Sequence, residues 1–327
     1  MSKQTQVNWG ILGAGKIARK FAQDLVRVSD AKLMAVAARN GTDAKKFASE
    51  FHIENAYNGY EAMLMNSELD IVYIATPHVF HCEHVLLCIT YKKAVLCEKP
   101  FAMNTAEVQK MILAAKENNV LLMEALWTAF LPHYQYTQNF LKKNTFGRIK
   151  KLEADFGFPA NPDPSLRLYN KSLGGGSLLD IGIYPVFAAL STLGIPKSIK
   201  AEATFTATGV DAACTIEFTY SNETIAVLKS TFQEETPTTA TFYCENGTLK
   251  IKSRFHEPSE VLLINSAGEE ETISFNYQTN GYSFEAAHMN LLYKSGVTES
   301  PIMNFETSLN LMKLLDDIRK KIGLSYT

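Results

Sequence analysis

Long apolar runs are missing from this chain. The longest uninterrupted apolar stretches, such as residues 120–123, are far shorter than the ~18–20 residues that a membrane-spanning helix needs. The first six residues are polar and contain no apolar core, so we expect no secretory signal there. Both absences predict a soluble protein without a membrane partner.

A strong net charge and an even set of cysteines are missing as well. The formal net charge is −2, which excludes the basic surface typical of a nucleic-acid-binding protein, so we expect no nucleic-acid partner. The cysteine count is odd and the spacing is wide, which favours reduced thiols over a disulfide framework. These residues are Cys82, Cys88, Cys97, Cys214 and Cys244. We therefore expect a cytoplasmic location.

The first ~125 residues alternate short apolar stretches with helical patterns, which predicts an α/β fold. The stretches expected to be strands are residues 7–12, 33–38, a short one near 56, 70–76, 94–97 and 120–124. Six strands with intervening helices are typical of a doubly wound parallel sheet. We predict a Rossmann domain over residues 1–126.

The second half has a different rhythm, in which strands dominate from residue 198 to residue 275. Asn246-Gly247 is a strong signal for a two-residue hairpin. Apolar Cys214, Ile216 and Phe218 alternate with polar neighbours, so one face of this sheet should be buried. We predict an α+β domain over residues 127–327, with an open, mostly antiparallel sheet and two closing helices near 283–294 and 304–322.

A glycine-rich turn follows the first predicted strand. Gly13 suits the tight turn, Gly15 allows close approach of a pyrophosphate, and Ala18 allows the helix to pack closely on the strand. Lys16 and Ile17 open the helix, whose N-terminus offers N–H groups to an anion. A chance glycine-rich turn is the alternative, but the position between a strand and a helix favours dinucleotide binding.

The residue after the second strand selects between NAD and NADP. NAD enzymes usually carry an acidic residue there, whereas this chain has Arg39, with the hydroxyl of Thr42 nearby. An arginine can pair with a 2′-phosphate, so we expect NADP as cofactor, with NAD possible. A solvated surface arginine is the alternative.

Polar residues follow the fourth and fifth predicted strands, where ligands bind in this fold. They are Thr76, Pro77, His78 and His81 after one strand, and Glu98 and Lys99 after the other. A lysine beside a positively charged nicotinamide suits proton transfer, and a surface lysine is the alternative. His78, His81 and His84 are three apart, but no ligand set completes a metal site, so we expect none.

The second domain offers its own candidates. Asp180 and Tyr184 are four residues apart and share a face if the segment is helical. Gly182 and Pro185 weaken that helix, which is a feature of functional segments. A helix-orienting carboxylate and a core tyrosine are the alternatives. Arg167, in the preceding loop, is a weaker candidate for substrate contact.

Together these residues resemble the Gfo/Idh/MocA oxidoreductase family, and the resemblance spans both domains. The pieces that carry it are residues 13–18, Thr76-Pro77-His78 with His81, Glu98-Lys99-Pro100, and residues 174–185. Residues 124–127 and 154–156 resemble the dimeric dihydrodiol dehydrogenases and the NADP-dependent xylose dehydrogenases of this family.

The resemblance implies that Lys99 and Tyr184 form the catalytic pair, with Asp180 orienting or tuning them, and that the Lys99–Pro100 bond is cis. It makes Phe156 a candidate substrate contact. Trp127, at the predicted domain junction, either stacks near the substrate or packs the interface. Asp43 departs from relatives that carry a second arginine there, which weakens the prediction of NADP.

We therefore expect hydride transfer between NADP(H) and a hydroxyl or carbonyl carbon of a sugar, polyol or vicinal diol. An NAD-dependent glycosidase-like member without net redox turnover and a non-enzymatic nucleotide sensor are the alternatives. The resemblance also predicts a homodimer formed through the outer face of the second sheet. Thr204, Thr206, Thr215 and Thr219 are expected on that face, which we predict to carry little charge.

Overall fold

The computed structural model describes residues 6–326, which form two compact units. The first comprises the chain up to Trp127 together with Gln278–Ser308, and the second comprises Thr128–Tyr277 together with the residues from Leu309 onward. The polar N-terminal segment, in which we expect no secretory signal, lies outside the described residues except for Gln6.

The first unit is built on a six-stranded parallel sheet in the order β3-β2-β1-β4-β5-β6. This confirms the predicted Rossmann sheet, including the short third strand. The strands are β1 Val7–Leu12, β2 Ala31–Ala38, β3 Asn55–Asn58, β4 Ile71–Ile74, β5 Ala94–Glu98 and β6 Leu122–Ala125. The helices are α1 Lys16–Leu25, α2 Gly41–Phe51, α3 Glu61–Leu64, α4 His81–Thr90 and α5 Thr105–Asn118.

The segment 278–308 belongs to the first unit, although the prediction assigned it to the second domain. Buried Asp24 of α1 explains this, because its carboxylate accepts hydrogen bonds from the backbone N–H groups of Asn280 and Tyr282. It thereby satisfies N–H groups at the start of α8 Tyr282–Ser295 that would otherwise lack partners. The indole of Trp9 also donates to the buried Asn290 side chain at 2.8 Å.

The second unit contains an eight-stranded sheet in the order β14-β13-β12-β11-β7-β10-β9-β8. Its strands are β7 Ile149–Gly157, β8 Ser198–Phe205, β9 Asp211–Thr219, β10 Ile225–Thr231, β11 Ala240–Cys244, β12 Gly247–Ile251, β13 Val261–Asn265 and β14 Glu270–Ile273. Only β7 and β10 pair in parallel, so the predicted mostly antiparallel sheet is confirmed. The hairpin at Asn246-Gly247 joins β11 to β12 as expected.

Helices cover one face of this sheet. They include α6 Pro132–Lys142 and α7 Ile183–Leu193, and α9 Phe305–Ile322 has most of its length in this unit. Cys214, Ile216 and Phe218 are buried beneath the helices, as the alternation predicted. Among the described residues, the helical segment Lys171–Leu193 is apolar and long enough to cross a membrane, although polar residues interrupt it and no apolar run in the sequence predicts it. Of its 18 most apolar consecutive residues, 89% are buried, so the segment has the surroundings of a core helix.

The opposite face of the sheet differs from the prediction because it is rich in charge. Thr215 and Thr204 are exposed there, but charged side chains occupy the neighbouring register positions. Lys200 pairs with Glu217 across two strands at 3.0 Å. Alternation along single strands showed which face is polar, but only the register between strands shows that the charges are neighbours.

Candidate functional site

The phosphate loop has the geometry that its glycines predict. Gly13 has a φ of +105°, and a Cβ there would lie 2.9 Å from the carbonyl oxygen of Ala75. No described atom lies within 4 Å of a Cβ built on Gly15, so the loop leaves open space before α1. Lys16 and Ile17 begin the first turn of α1. Gly15 is the N-cap residue, and no side chain of the described residues caps the N–H groups of this turn. These N–H groups and the open space fit a pyrophosphate.

Arg39 lies beside a cavity of about 320 Å³ in the first unit. Its guanidinium carbon is 5.8 Å from the centre of the Phe80 ring, and Thr76 and Pro77 line the same cavity. Burial lowers the pKa of His84, also in the wall, to about 4, and the charge of Arg39 adds to this effect. A cationic group beside a small, partly apolar cavity fits the adenosine half of a dinucleotide that carries a 2′-phosphate.

Asp43 is exposed in the first turn of α2. The Asn40 side chain caps this helix by accepting a hydrogen bond from the Thr42 N–H at 2.9 Å. A carboxylate in a first helical turn is favoured by the helix dipole, which gives Asp43 a structural role independent of any cofactor.

Lys99 follows β5 directly and is half-buried. The Lys99–Pro100 peptide bond is cis, as the resemblance implied. The Glu98 carboxylate accepts a hydrogen bond from the Lys99 backbone N–H at 3.1 Å and another from the Tyr73 hydroxyl. Burial and the charge of Glu98 raise the pKa of Tyr73, which keeps its hydroxyl protonated as a donor.

Two further groups hold the segment that follows Lys99. The imidazole Nδ1 of His81 lies 2.9 Å from the carbonyl oxygen of Pro100, and its Nε2 lies 2.9 Å from that of Thr76. The Glu124 carboxylate accepts a hydrogen bond from the Phe101 N–H at 3.0 Å. Burial raises the pKa of Glu124 to about 7. The backbone on both sides of Lys99 is therefore held by the buried side chains of Glu98, His81 and Glu124. The sequence indicated Glu124 only as part of the motif at residues 124–127, and it gave no sign of Tyr73, which holds the Glu98 carboxylate.

His78 begins a short 3-10 helix after β4, and its side chain is buried. The ring centres of His78 and His81 are 6.3 Å apart. Trp127 is buried as well, and its indole stacks on the Tyr282 ring with centroids 4.2 Å apart. Trp127 thus has a packing partner within the first unit, while contact with a substrate stays a prediction.

Asp180 and Tyr184 of the second unit lie on consecutive helical segments. Residues Leu178–Gly182 form a π-helical turn, and α7 continues from Ile183 with Pro185 in its first turn. Pro185 carries no backbone N–H, so the helical chain lacks one backbone hydrogen bond where the π-helical turn passes into α7. Single π-helical turns are frequently found at functional sites.

Arg167 pairs with Asp180, with Nη2 at 2.5 Å from Oδ1. The sequence suggested Arg167 as a substrate contact, and the structure gives it a carboxylate partner in the predicted site. The Asp180 side chain is 19% exposed and that of Arg167 is 37% exposed, so the pair lies at the surface of the unit.

Tyr184 belongs to a cluster of three rings. The His256 ring is 4.8 Å from the Tyr184 ring and stacks on Phe156 at 4.1 Å between centroids. Thr128 donates a hydrogen bond to the His256 carbonyl oxygen at 2.7 Å and thereby fixes the backbone. His256 escaped the sequence analysis because it lies in an irregular stretch, far from Tyr184 in sequence.

The chain matches two family models in succession. Residues 7–126 match the oxidoreductase family with an NAD-binding Rossmann fold, and residues 134–250 match the GFO/IDH/MocA C-terminal domain. The trans-1,2-dihydrobenzene-1,2-diol dehydrogenase of Xenopus tropicalis is 34% identical over 330 residues, which covers 97% of this chain and 98% of that protein. The NADP(+)-dependent scyllo-inositol 2-dehydrogenase of Bacillus subtilis (strain 168) is 32% identical and covers 98% of both proteins.

Solved structures have the same fold. The 3-ketoreductase KijD10 of Actinomadura kijaniata, in complex with NADP and TDP-benzene, superimposes with a TM-score of 0.85 at 26% identity, covering 97% of this chain and 98% of that one. The aldose-aldose oxidoreductase of Caulobacter crescentus gives a TM-score of 0.89 at 22% identity with the same coverage, which shows the fold alone. The chain belongs to the Gfo/Idh/MocA family of NAD(P)-dependent oxidoreductases.

Proposed function

We propose that this protein transfers a hydride between NADP(H) and a carbon that bears a hydroxyl or carbonyl group in a sugar, polyol or vicinal diol. The observation that carries the proposal is Lys99, which directly follows β5 and whose flanking backbone is held by Glu98, His81 and Glu124. The names of the relatives support the substrate class, since one acts on a dihydrodiol and another on an inositol.

The first unit provides the groups that would hold the cofactor. Gly13, Gly15 and the N–H groups of Lys16 and Ile17 would bind the pyrophosphate, because the loop presents donors and open space. Thr76, Pro77 and Arg39 would surround the adenosine half. Glu98 ends β5, and His78 and His81 begin the short 3-10 helix and α4 that follow β4. They would adjoin the nicotinamide half, since ligands of this fold bind beyond the carboxyl ends of the strands. When bound, the nicotinamide accepts or supplies the hydride.

The preference for NADP rests on Arg39. A guanidinium can form two charge-assisted hydrogen bonds with a phosphate, whereas it gains little from a ribose hydroxyl. Glu61 and Glu83 line the same cavity as Arg39 and could oppose a 2′-phosphate, and so could Asp43 at the start of α2. The position of Asp43 in the exposed first turn lets solvent screen its charge.

Lys99 and Tyr184 would handle the proton of the reacting hydroxyl. Oxidation of an alcohol requires that this proton leave the oxygen as the hydride leaves the carbon, and two polar groups at one oxygen both orient and polarise it. Asp180 would orient these groups through its own hydrogen bonds, and Arg167 keeps the Asp180 carboxylate in place by charge pairing. Phe156 and Trp127 stay proposed substrate contacts on the family resemblance; both are buried, and each already stacks on a neighbouring ring, His256 and Tyr282 respectively.

A cofactor and substrate screen tests the proposal. Purified protein is incubated with panels of aldoses, inositols and vicinal diols, with NADP and separately with NAD, and the absorbance of the reduced cofactor is followed. We expect turnover with NADP on at least one of these classes and its loss in Lys99→Met. A cofactor that co-purifies without net turnover on any panel, while glycosides are cleaved, would instead support a glycosidase-like activity.

We also propose a homodimer formed through the outer face of the second sheet. Lys229 of β10 lies opposite Asp155 of β7, and Glu153 on the same face pairs with Lys151 at 2.5 Å. A face that carries both signs of charge can complement itself across a two-fold axis. Light scattering at micromolar concentration should give twice the chain mass of 36.4 kDa. A mass of one chain would contradict this arrangement.

A further inference from the structure

The turn formed by Gly174, Gly175 and Gly176 precedes the helical segment that carries Asp180 and Tyr184. Neighbouring atoms leave no space for a Cβ at Gly175 or Gly176. A Cβ on Gly175 would lie 2.5 Å from the carbonyl oxygen of Leu168. Gly176 has a φ of +123°, and a Cβ there would lie 2.1 Å from Asp211 Oδ1. Only glycine fits at these positions, so the turn is defined by its neighbours as well as by its own conformation.

Asp211 holds this turn through its carboxylate. Its side chain is fully buried, and Oδ2 accepts hydrogen bonds from the Ser177 hydroxyl at 2.8 Å and from the Leu178 N–H at 2.7 Å. Burial raises the pKa of Asp211 to about 6. The carboxylate thus occupies the start of the helical segment that continues through Asp180 to Tyr184.

Tyr326 holds the turn as well, and its hydroxyl oxygen lies on the same side of Gly176 as Asp211, 3.2 Å from a Cβ built on that glycine. Its hydroxyl donates a hydrogen bond to the carbonyl oxygen of Gly175 at 2.7 Å, although the two residues are 151 positions apart in sequence. The guanidinium carbon of Arg319 lies 5.3 Å from the centre of the Tyr326 ring and helps to place it. Burial raises the pKa of Tyr326, so its hydroxyl stays a donor.

We propose that Asp211 and Tyr326 are positioning residues that set the placement of Asp180 and Tyr184 by fixing the glycine turn and the start of the helical segment through separate hydrogen bonds. The inference rests on the proposed roles of Asp180 and Tyr184 in proton transfer. The π-helical turn Leu178–Gly182 directly follows the glycine turn and leads to Tyr184. A displaced glycine turn therefore shifts Asp180 and Tyr184 together. A misplacement of about 1 Å can cost roughly 10²-fold in rate, so loss of either the Asp211 or the Tyr326 hydrogen bond should lower kcat measurably.

Tyr326→Phe is the test, because it removes only the hydroxyl that holds Gly175. We expect kcat to fall about tenfold, a partial loss on the scale of a ~1 Å misplacement, with the Kd for NADP unchanged. Tyr134→Phe is the matched control, since the Tyr134 hydroxyl is 2.7 Å from Ser191 Oγ in the same unit. Its kcat should stay at the wild-type value.

Hydrogen exchange of residues 174–184, followed by mass spectrometry, gives a second readout that needs no substrate. Exchange should accelerate in Tyr326→Phe and stay unchanged in Tyr134→Phe. If residues 174–184 exchange at the wild-type rate in Tyr326→Phe, the Tyr326 hydroxyl does not hold the glycine turn. If they exchange faster but kcat stays at the wild-type value, Tyr326 holds the turn without affecting catalysis. If the wild type turns over no sugar or diol, the proposed function fails, while exchange still decides whether Tyr326 holds the turn.

Asp211 is tested by two substitutions. Asp211→Asn keeps an oxygen that can accept from the Leu178 N–H, whereas Asp211→Ala removes it. We expect Asp211→Asn to retain most of the kcat and the slow exchange, and Asp211→Ala to lose both or to fail to fold. If Asp211→Asn folds with wild-type exchange but loses kcat as completely as a Lys99 variant, Asp211 does not act by positioning.

Discussion

Replacement of Gly176 by alanine should destabilise the second unit far more than replacement of Gly194. Both glycines have positive φ, +123° and +77°, so each alanine variant carries backbone strain of about 1–3 kcal/mol. A Cβ on Gly194 meets no described atom within 4 Å, whereas one on Gly176 lies 2.1 Å from Asp211 Oδ1. The Asp211 carboxylate must therefore move away from its donors, and charge-assisted hydrogen bonds contribute roughly 1.5–3 kcal/mol each. We expect Gly176→Ala to lower the free energy of unfolding by about 2 kcal/mol or more beyond the loss in Gly194→Ala.

Urea unfolding followed by far-UV circular dichroism measures this difference. Tryptophan fluorescence is unsuitable, because Trp9 and Trp127 both belong to the first unit. Gly176→Ala should also lower kcat, since the turn leads into the helix that carries Tyr184, and Gly194→Ala should not. Equal losses of unfolding free energy in the two variants would refute the argument that crowding by Asp211 makes glycine necessary.

Two other outcomes follow from the same structure. Arg39→Ala should raise the Kd for NADP roughly tenfold or more while leaving the Kd for NAD unchanged, because a lost charge-assisted contact acts only on the 2′-phosphate; equal NADP affinity in both proteins, measured by titration, would remove Arg39 as the selectivity residue. Burial lowers the pKa of His133 from 6.5 to about 4, so the unfolded chain binds more protons between those pH values and stability falls as the pH falls through them. This contribution is up to about 3 kcal/mol at ~1.4 kcal/mol per pKa unit. In urea unfolding at several pH values, the free energy of unfolding should depend less steeply on pH below pH 6.5 in His133→Gln than in the wild type. The same dependence on pH in both proteins would contradict this.

The parallel sheet and the phosphate loop were predictable because their signals are local. Alternating strands and helices indicate a Rossmann sheet, and Gly13 shows its need for a positive φ through its place between a strand and a helix. The same holds for the hairpin at Asn246-Gly247, where two residues are enough to define the turn.

Other features depend on contacts between residues that are distant in sequence. The segment 278–308 packs in the first unit because buried Asp24 caps α8, a partnership across more than 250 residues. Glu124, His256, Asp211 and Tyr326 support the candidate site in the same way, through hydrogen bonds and ring contacts to residues far along the chain. A carboxylate or tyrosine in such a position has the same local pattern as any other core residue. Only the fold shows which backbone group it holds.

The proposed function depends most directly on the proton-transfer role of Lys99. The measurement is kcat of wild type, Lys99→Met, Tyr184→Phe and the double variant on the best substrate from the screen, with NADP saturating. We predict that Lys99→Met lowers kcat by roughly 10²–10⁴, the usual range for a lost acid–base group, and Tyr184→Phe by a similar or smaller factor. The double variant should lose less than the product of the single losses, because the two groups act as one unit. A Lys99→Met enzyme with nearly wild-type kcat would contradict the account.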